Sequence, residues 1–208
     1  MTSKVKKKIL KLKESSTLVI NEKSKELISE GKKVYQFGFG QSPFPVPEKI
    51  VEALKKNAHR KEYLPIQGLP ELRDNISKYL YKRTRNDYPK ENILITPGSK
   101  EAMLLIHIAF NGEIIIPAPG WVSYEPQAEI GSNRVHWLET SRSNNWFPTG
   151  KELEKKIKLI GKNKNLILII NSPNNPSGAV CKNLEELAMV AKKYKILVLS
   201  DEIYTDLT

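Results

Sequence analysis

The sequence is poor in the residues that build disulfides and metal centres. Its 208 residues include a single cysteine, Cys181, and three histidines. One cysteine excludes an intramolecular disulfide and is typical of a reducing compartment. His59, His107 and His136 are scattered without the spacing of metal ligands, so we expect no metal site.

Long apolar runs and nucleotide-binding glycine motifs are also missing. No apolar stretch approaches the roughly 20 residues that a membrane-crossing helix needs, and the first residues lack a secretory signal. We therefore expect a cytoplasmic protein without membrane contact. Neither G-x-G-x-x-G nor G-x-x-x-x-G-K-[ST] follows an apolar run, which removes the main support for a dinucleotide or P-loop site.

Positive charge is in surplus, with 34 Lys and Arg against 23 Asp and Glu and a net charge of +11. Such a surplus attracts anionic ligands and favours non-specific nucleic-acid binding. The lysines are spread along the chain, apart from KVKKKILKLK at residues 4–13, which we interpret as a surface arm. No helix-turn-helix, RNP-type motif or zinc spacing is present, so we expect no nucleic-acid partner.

Apolar runs typical of strands alternate with helical patterns in the second half of the chain. The predicted strands are NILIT, EIIIP, VHWLE, NLILII and ILVLS, and the helices between them are SKEAMLLIHIAF, YEPQAEIG, KELEKKIKLI and LEELAMVAKKY. Earlier helices are predicted from Ser16 to about Lys33, from Pro47, and after Gly68. This alternation, with continuously apolar strands, predicts an α/β fold with a mainly parallel sheet and helices on both faces.

Four of the predicted strands are followed by polar or aromatic loops. TPGSK follows NILIT, PAPGW follows EIIIP, NSPNNPSG follows NLILII, and DEIY follows ILVLS. Ligands of open α/β sheets bind beyond the carboxyl ends of the strands, so we expect these loops to converge. Together they offer an anion site, an aromatic ring for stacking, amides, a carboxylate and a phenol. That set suits a flat, phosphorylated, nitrogen-containing ring better than a nucleotide.

Each of these residues also has a purely structural interpretation. Ser99 and Lys100 suit a phosphate at a helix start, but they also suit a helix cap and a solvated side chain. Trp121 suits ring stacking, and equally a core or interface position. Asp201, at the end of a buried strand, needs a cationic ring nitrogen, an arginine or a helix N-terminus as partner. Tyr204 suits either the same ligand or a buried site with a satisfied hydroxyl.

The ordered motifs YLPIQGLPELR, PGSKEAM, PGWVSY, NSPNNPSG and SDEIY resemble the class I/II aminotransferases, which are pyridoxal 5′-phosphate (PLP) enzymes of fold type I. The resemblance extends from about Ser15 to the last residue, and the ordered combination is highly specific. It implies residues 1–45 as an N-terminal arm with part of a small domain. Residues 46–208 correspond to the PLP-binding large domain, which is incomplete at its C-terminal side.

The resemblance implies a role for each residue around the ring. Asp201 matches the aspartate that pairs with the protonated pyridine nitrogen. Asn175 and Tyr204 match the two donors to the phenolate oxygen, and Trp121 matches the aromatic residue that stacks on the ring and borders the substrate.

Further matches concern the phosphate and the substrate. Gly98, Ser99 and Lys100 match the loop that holds the cofactor phosphate. Tyr63 resembles the tyrosine that reaches the partner's phosphate across a homodimer, and Gly40 resembles the glycine whose backbone meets the substrate carboxylate. Around Gly40 the sequence GFGQSPF departs from the common Glu-Pro-Asp-Phe pattern.

The chemistry that the resemblance implies is transamination between an amino acid and a 2-oxo acid, by a homodimer when the protein is complete. WVSY is similar to the corresponding segment of aspartate and aromatic aminotransferases. The family's cofactor-holding lysine and substrate-binding arginine have no match here, so we assign no catalytic residue and expect the 208 residues alone to lack turnover. The alternatives are a synthase or lyase of the same fold, and a PLP-binding remnant without catalysis.

Overall fold

Four apolar segments form a parallel sheet in the structure, a computed structural model that describes residues 4–12, 16–37, 40, 42 and 44–207. The strand order is β2-β1-β3-β4, and every neighbouring pair is parallel. The strands are β1 (Glu113–Ala118), β2 (Arg134–Glu139), β3 (Leu166–Asn171) and β4 (Leu197–Asp201). They correspond to EIIIP, VHWLE, NLILII and ILVLS, so these four predicted strands are confirmed.

The predicted helices are also present, with small differences at their ends. The helices are α1 (Lys7–Leu10), α2 (Ser16–Ser29), α3 (Glu48–Asn57), α4 (Pro70–Thr84), α5 (Ser99–Ala109), α6 (Tyr124–Gly131), α7 (Gly150–Ile160) and α8 (Leu184–Tyr194). α2 ends at Ser29 rather than near Lys33, and Gly31, which we predict to end this helix, follows with φ of +77°. Pro47 lies at the cap of α3 rather than inside it.

Both faces of the sheet are covered, and the fully buried strand β3 shows this best. Ile167 and Ile169 belong to a cluster on one face, with Met103 of α5 and Tyr124 and Ala128 of α6. Leu166, Leu168 and Ile170 belong to the cluster on the other face, with Leu153 and Ile157 of α7 and Leu187 and Ala191 of α8. Each such aliphatic side chain contributes about 1.5–3 kcal/mol by leaving water. The predicted α/β fold is therefore confirmed.

One predicted strand is not formed. In the NILIT segment, Asn92 ends a short 3-10 helix and residues 93–96 lie in no sheet, with the Ile95 N–H donating to the Gln67 carbonyl at 3.0 Å. A strand exists only as part of a ladder. Ile95 belongs to the compact unit of residues 14–98, whereas all four strands belong to the unit of residues 1–13 and 99–208. An apolar run predicts a strand but does not show whether a neighbouring strand is available.

The remaining predictions concern the domain boundary, the basic segment at residues 4–13 and the GFGQSPF segment. The proposed division at residues 45 and 46 stays a prediction. Within the basic segment, Lys8 donates to the Ile130 carbonyl at 2.5 Å and to the Ser132 hydroxyl at 2.6 Å, which ties the arm to the end of α6. Of GFGQSPF, Gly38, Phe39, Gln41 and Pro43 lie outside the described residues, as do Lys13, Ser15 and Thr208.

The described residues include neither a membrane-spanning helix nor a cluster of metal-binding side chains. Among them, no helix has the length and apolar character that crossing a membrane requires. No group of three or more histidine, cysteine, aspartate or glutamate side chains in this part of the chain is arranged to hold a metal ion.

A charged contact joins α7 to α8 on one side of the sheet. Glu154 accepts hydrogen bonds from the Tyr194 hydroxyl at 2.6 Å and from Lys158 and Lys193, each at 2.9 Å. The Tyr194 hydrogen bond and the two lysines lower the pKa of Glu154 to about 2.

We expect Glu154→Gln to destabilise the protein near neutral pH and to matter less in acid. Because the pKa of Glu154 is lower in the folded state than its unfolded value of about 4.3, its contribution is present above that value. The contribution is lost as the pH falls toward about 2. Urea unfolding at several pH values measures this, with Glu129→Gln as the control. A difference from wild type that stays constant with pH would contradict the expectation.

Candidate functional site

The strand order creates a crevice at the carboxyl edge of the sheet. The chain passes from β1 to β2 on one side and then to β3 on the other, so β1 and β3 flank a topological switch point. Loops that leave neighbouring strands in opposite directions leave a cleft between them, where ligands of open α/β sheets bind. The loops after β1, β3 and β4 carry most of the predicted ring-binding residues.

The loop after β3 is folded by its own amides. The Asn171 side chain accepts the Asn175 N–H at 2.7 Å and donates to the Asp201 carbonyl at 3.0 Å. The Asn174 side chain accepts from the Ser177 hydroxyl at 2.8 Å and from its N–H at 3.2 Å. These two asparagines are buried and hold the turn, while the Asn175 side chain bonds outside it, to Tyr204.

Asp201 is a buried carboxylate at the carboxyl edge of the sheet. It ends β4 with only 8% of its surface exposed. One carboxylate oxygen accepts the Tyr124 hydroxyl at 2.7 Å, and the other accepts the Ile203 N–H at 3.2 Å. No lysine, arginine or histidine of the described residues forms an ion pair with it. Two carboxylate oxygens offer about four acceptor positions, so Asp201 retains capacity for another donor.

Tyr124 is suited to remain a donor to this carboxylate. The side chain is 1% exposed, and burial together with the Asp201 hydrogen bond raises the pKa of Tyr124 far above its ordinary value. The hydroxyl therefore stays protonated throughout the physiological range. A protonated donor fixes the orientation of the carboxylate.

A second polar pair lies beside Asp201. The Asn175 side-chain amide donates to the Tyr204 hydroxyl at 3.1 Å. Tyr204 follows Asp201 by three residues, and Asn175 is anchored through Asn171 to the Asp201 carbonyl. Both side chains are partly exposed, so the pair keeps donor capacity toward the cleft.

Trp121 connects this polar group to the start of α5. Its ring meets the Tyr124 ring edge-on, with centroids 5.4 Å apart and planes at 81°. The Lys100 ammonium lies 5.5 Å from the Trp121 ring centroid, within cation–π range. Trp121 is partly exposed while packing against the core, which leaves part of its ring available.

The predicted anion site occupies the first turn of α5. This helix begins at Ser99, so the first N–H groups of the helix have no intrahelical acceptor. Ser99 and Lys100 are exposed. Gly98, the last residue of the unit of residues 14–98, has φ of +92°, a conformation that favours glycine.

The structure brings most but not all predicted residues into one contact network. Tyr204 contacts Asn175, Asp201 contacts Tyr124, and Trp121 contacts both Tyr124 and Lys100. Gly40, Tyr63 and Gly98 belong to the other compact unit and do not take part in these contacts. Tyr63 is fully exposed there and Gly40 is exposed, with no atom of the described residues within 4 Å of a Cβ built on Gly40.

Comparison with known proteins identifies the family. The family described as aminotransferase class I and II matches residues 32–208. The chain belongs to this family. The aspartate aminotransferase of Thermotoga maritima is 35% identical over 98% of the chain. The asparagine–oxo-acid transaminase of Streptococcus mutans is 33% identical over 97% of it.

Solved structures of family members agree with the fold. The aspartate aminotransferase of Thermus thermophilus with maleate superposes with a TM-score of 0.89 at 28% identity, over 97% of this chain and 54% of that one. The Thermotoga maritima enzyme gives a TM-score of 0.88 at 33% identity, over 98% and 55%. The chain spans 55% and 52% of the two relatives matched by sequence, which is about half their length.

The sequence pattern does not reveal two residues of this candidate site. Asn171 lies in NSPNNPSG without a predicted role, and Tyr124 is predicted only as part of a motif and a helix. The available signal for Tyr124 was its position three residues after Trp121, at the start of the helix that follows β1. The sequence does not reveal that its hydroxyl meets Asp201, 77 residues later.

We expect Tyr124→Phe to lower the free energy of unfolding by about 1.5–3 kcal/mol, because it removes a buried hydrogen bond to a charged group. In an Asp201→Asn background the same change is expected to cost only about 0.5–1.5 kcal/mol, since the acceptor is then neutral. Denaturant unfolding of the four proteins measures the difference, with Tyr81→Phe as a surface control. An equal loss of unfolding free energy in both backgrounds would contradict the Tyr124–Asp201 interaction.

Proposed function

We propose that this chain carries a PLP site and that the whole protein is an aminotransferase acting on amino acids and 2-oxo acids. The observation that carries the proposal is Asp201, a buried carboxylate with no cationic partner among the described residues. It lies at the switch-point edge of an α/β sheet. Membership of the class I and II aminotransferases supports the same conclusion.

The donor set of the site fits PLP in charge and in shape. A protonated pyridine nitrogen would supply the cationic partner that no described residue provides for Asp201. The Asn175–Tyr204 pair would supply donors for a phenolate oxygen, and Trp121 would supply a flat surface. The exposed start of α5 would supply N–H groups and the Lys100 charge for a phosphate. One ligand with these four features would satisfy every group.

When bound, PLP supplies an electron sink that accepts the electron pair left by breaking the substrate Cα–H bond. Asp201 would hold the proton on the ring nitrogen, since a buried carboxylate stabilises an adjacent positive charge. Tyr124 would keep the carboxylate in place through its 2.7 Å hydrogen bond. Asn175 and Tyr204 would donate to the phenolate and stabilise its negative charge.

Residues at the other end of the site would bind phosphate and border the substrate. Ser99 and Lys100 would contact the phosphate together with the first N–H groups of α5, and Gly98 would allow the turn before them. Trp121 would exclude water from one face of the ring. Gly40 would offer its backbone to the substrate carboxylate.

Substrate preference and oligomeric state are properties of the whole protein. Two relatives carry the names aspartate aminotransferase and asparagine–oxo-acid transaminase, which favours a small acidic or amide amino acid as amino donor. We propose a cytoplasmic homodimer in which Tyr63 reaches the phosphate of the partner subunit. The complete exposure of Tyr63 is compatible with that role.

We expect Asp201→Asn to raise the Kd for PLP about 5- to 12-fold, because it replaces a charge-assisted hydrogen bond by a neutral one. Equilibrium dialysis of the purified chain with PLP measures the affinity. Asp87→Asn makes the same chemical change at an exposed position and should leave the affinity unchanged. Equal affinities for wild type and Asp201→Asn would refute the proposed role of the carboxylate.

A further inference from the structure

A buried amide on α6 contacts the first turn of α5. Gln127 is 5% exposed, and its side-chain N–H donates to the Lys100 carbonyl at 2.8 Å. A backbone carbonyl only accepts hydrogen bonds, so the amide must turn its NH₂ group toward α5. Its side-chain oxygen is then buried without a partner among the described residues.

Few other contacts of the described residues reach this first turn, namely the Lys100 ammonium near the Trp121 ring and the Thr96 hydroxyl that donates to the Gly98 carbonyl at 2.9 Å. Ser99, Lys100 and Glu101 are exposed, and the first buried side chain of α5 is Met103. Among the described residues, no atom lies within 4 Å of a Cβ built on the preceding Gly98, so no side chain packs against the chain at that position. Met103 packs with Tyr124 and Ala128 of α6 further along the helix, and the Gln127 hydrogen bond is the buried polar contact between α6 and the exposed helix start.

The same face of α6 also contacts Asp201, the proposed partner of the ring nitrogen. Tyr124 precedes Gln127 by three residues, and residues at this spacing lie one turn apart on the same side of a helix. Tyr124 binds Asp201, and Gln127 binds the Lys100 carbonyl. One turn of α6 thus sets the separation between the proposed ring-nitrogen partner and the proposed phosphate-binding turn.

The unpartnered oxygen argues against a purely structural role for Gln127. A buried polar atom without a partner lowers stability, and an apolar side chain of similar length would avoid that loss. A methionine in place of Gln127 would fill nearly the same space and lose only the contact with Lys100. The amide therefore contributes to the position of the α5 start more than to the stability of the core.

We propose that Gln127 is a positioning residue for phosphate binding: it holds the N-terminal turn of α5 at a fixed distance from Asp201 through α6. The proposal rests on the function proposed above, because it assigns the phosphate to this turn. Gln127 acts through the Lys100 backbone and does not itself touch the ligand.

The test compares PLP with pyridoxal, which has the same ring and no phosphate. In Gln127→Met we expect the Kd for PLP to rise about 5-fold, the equivalent of one neutral hydrogen bond, while the Kd for pyridoxal changes less than about 2-fold. Tyr124→Phe, one turn away, should raise both Kd values by the same factor, since it acts at the ring end. An unchanged PLP-to-pyridoxal ratio in Gln127→Met overturns the inference.

The wild-type measurements separate this inference from the proposed function. If wild type binds neither compound, the cofactor site itself is refuted, and the inference falls with it. If wild type binds both compounds equally, the ring site stands and the α5 phosphate assignment is overturned.

A ligand-free readout tests the helix contact directly. In Gln127→Met, amide hydrogen exchange at Met103 and Leu104, the first residues able to bond within α5, should be about 5-fold faster. Exchange in β3 and the melting temperature should stay as in wild type. Unchanged exchange at Met103 and Leu104, or equal acceleration throughout the protein, overturns the inference.

Discussion

A buried carboxylate that has no cationic partner among the described residues is the constraint on which the rest of this site depends. Removing an isolated charge from water is costly unless hydrogen bonds or an opposite charge offset the loss. Asp201 receives the Tyr124 hydroxyl and the Ile203 N–H and keeps room for one more donor. A ligand that brings a positive N–H to this position gains a strong interaction that water does not provide.

The sheet explains why one ligand can reach residues from distant parts of the chain. Because β1 and β3 lie side by side while their following segments diverge, the loops after them border one cleft. Asn171 and Asp201 are partners in the β3–β4 register, so the amide loop and the acid begin at the same level. The Asn174 amide lies 3.4 Å from the Pro119 carbonyl, which links the loops across the switch point. Helix α6 then spans the site from Tyr124 to Gln127.

The sequence predicted those features that depend on local pattern. Apolar runs and helical periodicity located four strands and the helices between them, because burial on two faces leaves a continuous apolar signature. NILIT has the same signature and forms no strand, since pairing depends on a neighbour elsewhere in the chain. Asp201, Asn175 and Tyr204 lie in the polar segments that follow two apolar runs, NLILII and ILVLS. The Tyr124 and Gln127 contacts join residues 77 and 27 positions apart, and no local pattern encodes them.

The protonation state of the bound pyridine nitrogen tests the central claim most directly. PLP labelled with nitrogen-15 in the ring reports by its chemical shift whether that nitrogen carries a proton. We predict a pyridinium signal in the wild-type complex, at a pH where the free cofactor nitrogen is neutral, because Asp201 stabilises the charge. In Asp201→Asn the signal should move to that of a neutral nitrogen. A neutral nitrogen in the wild-type complex would contradict the account.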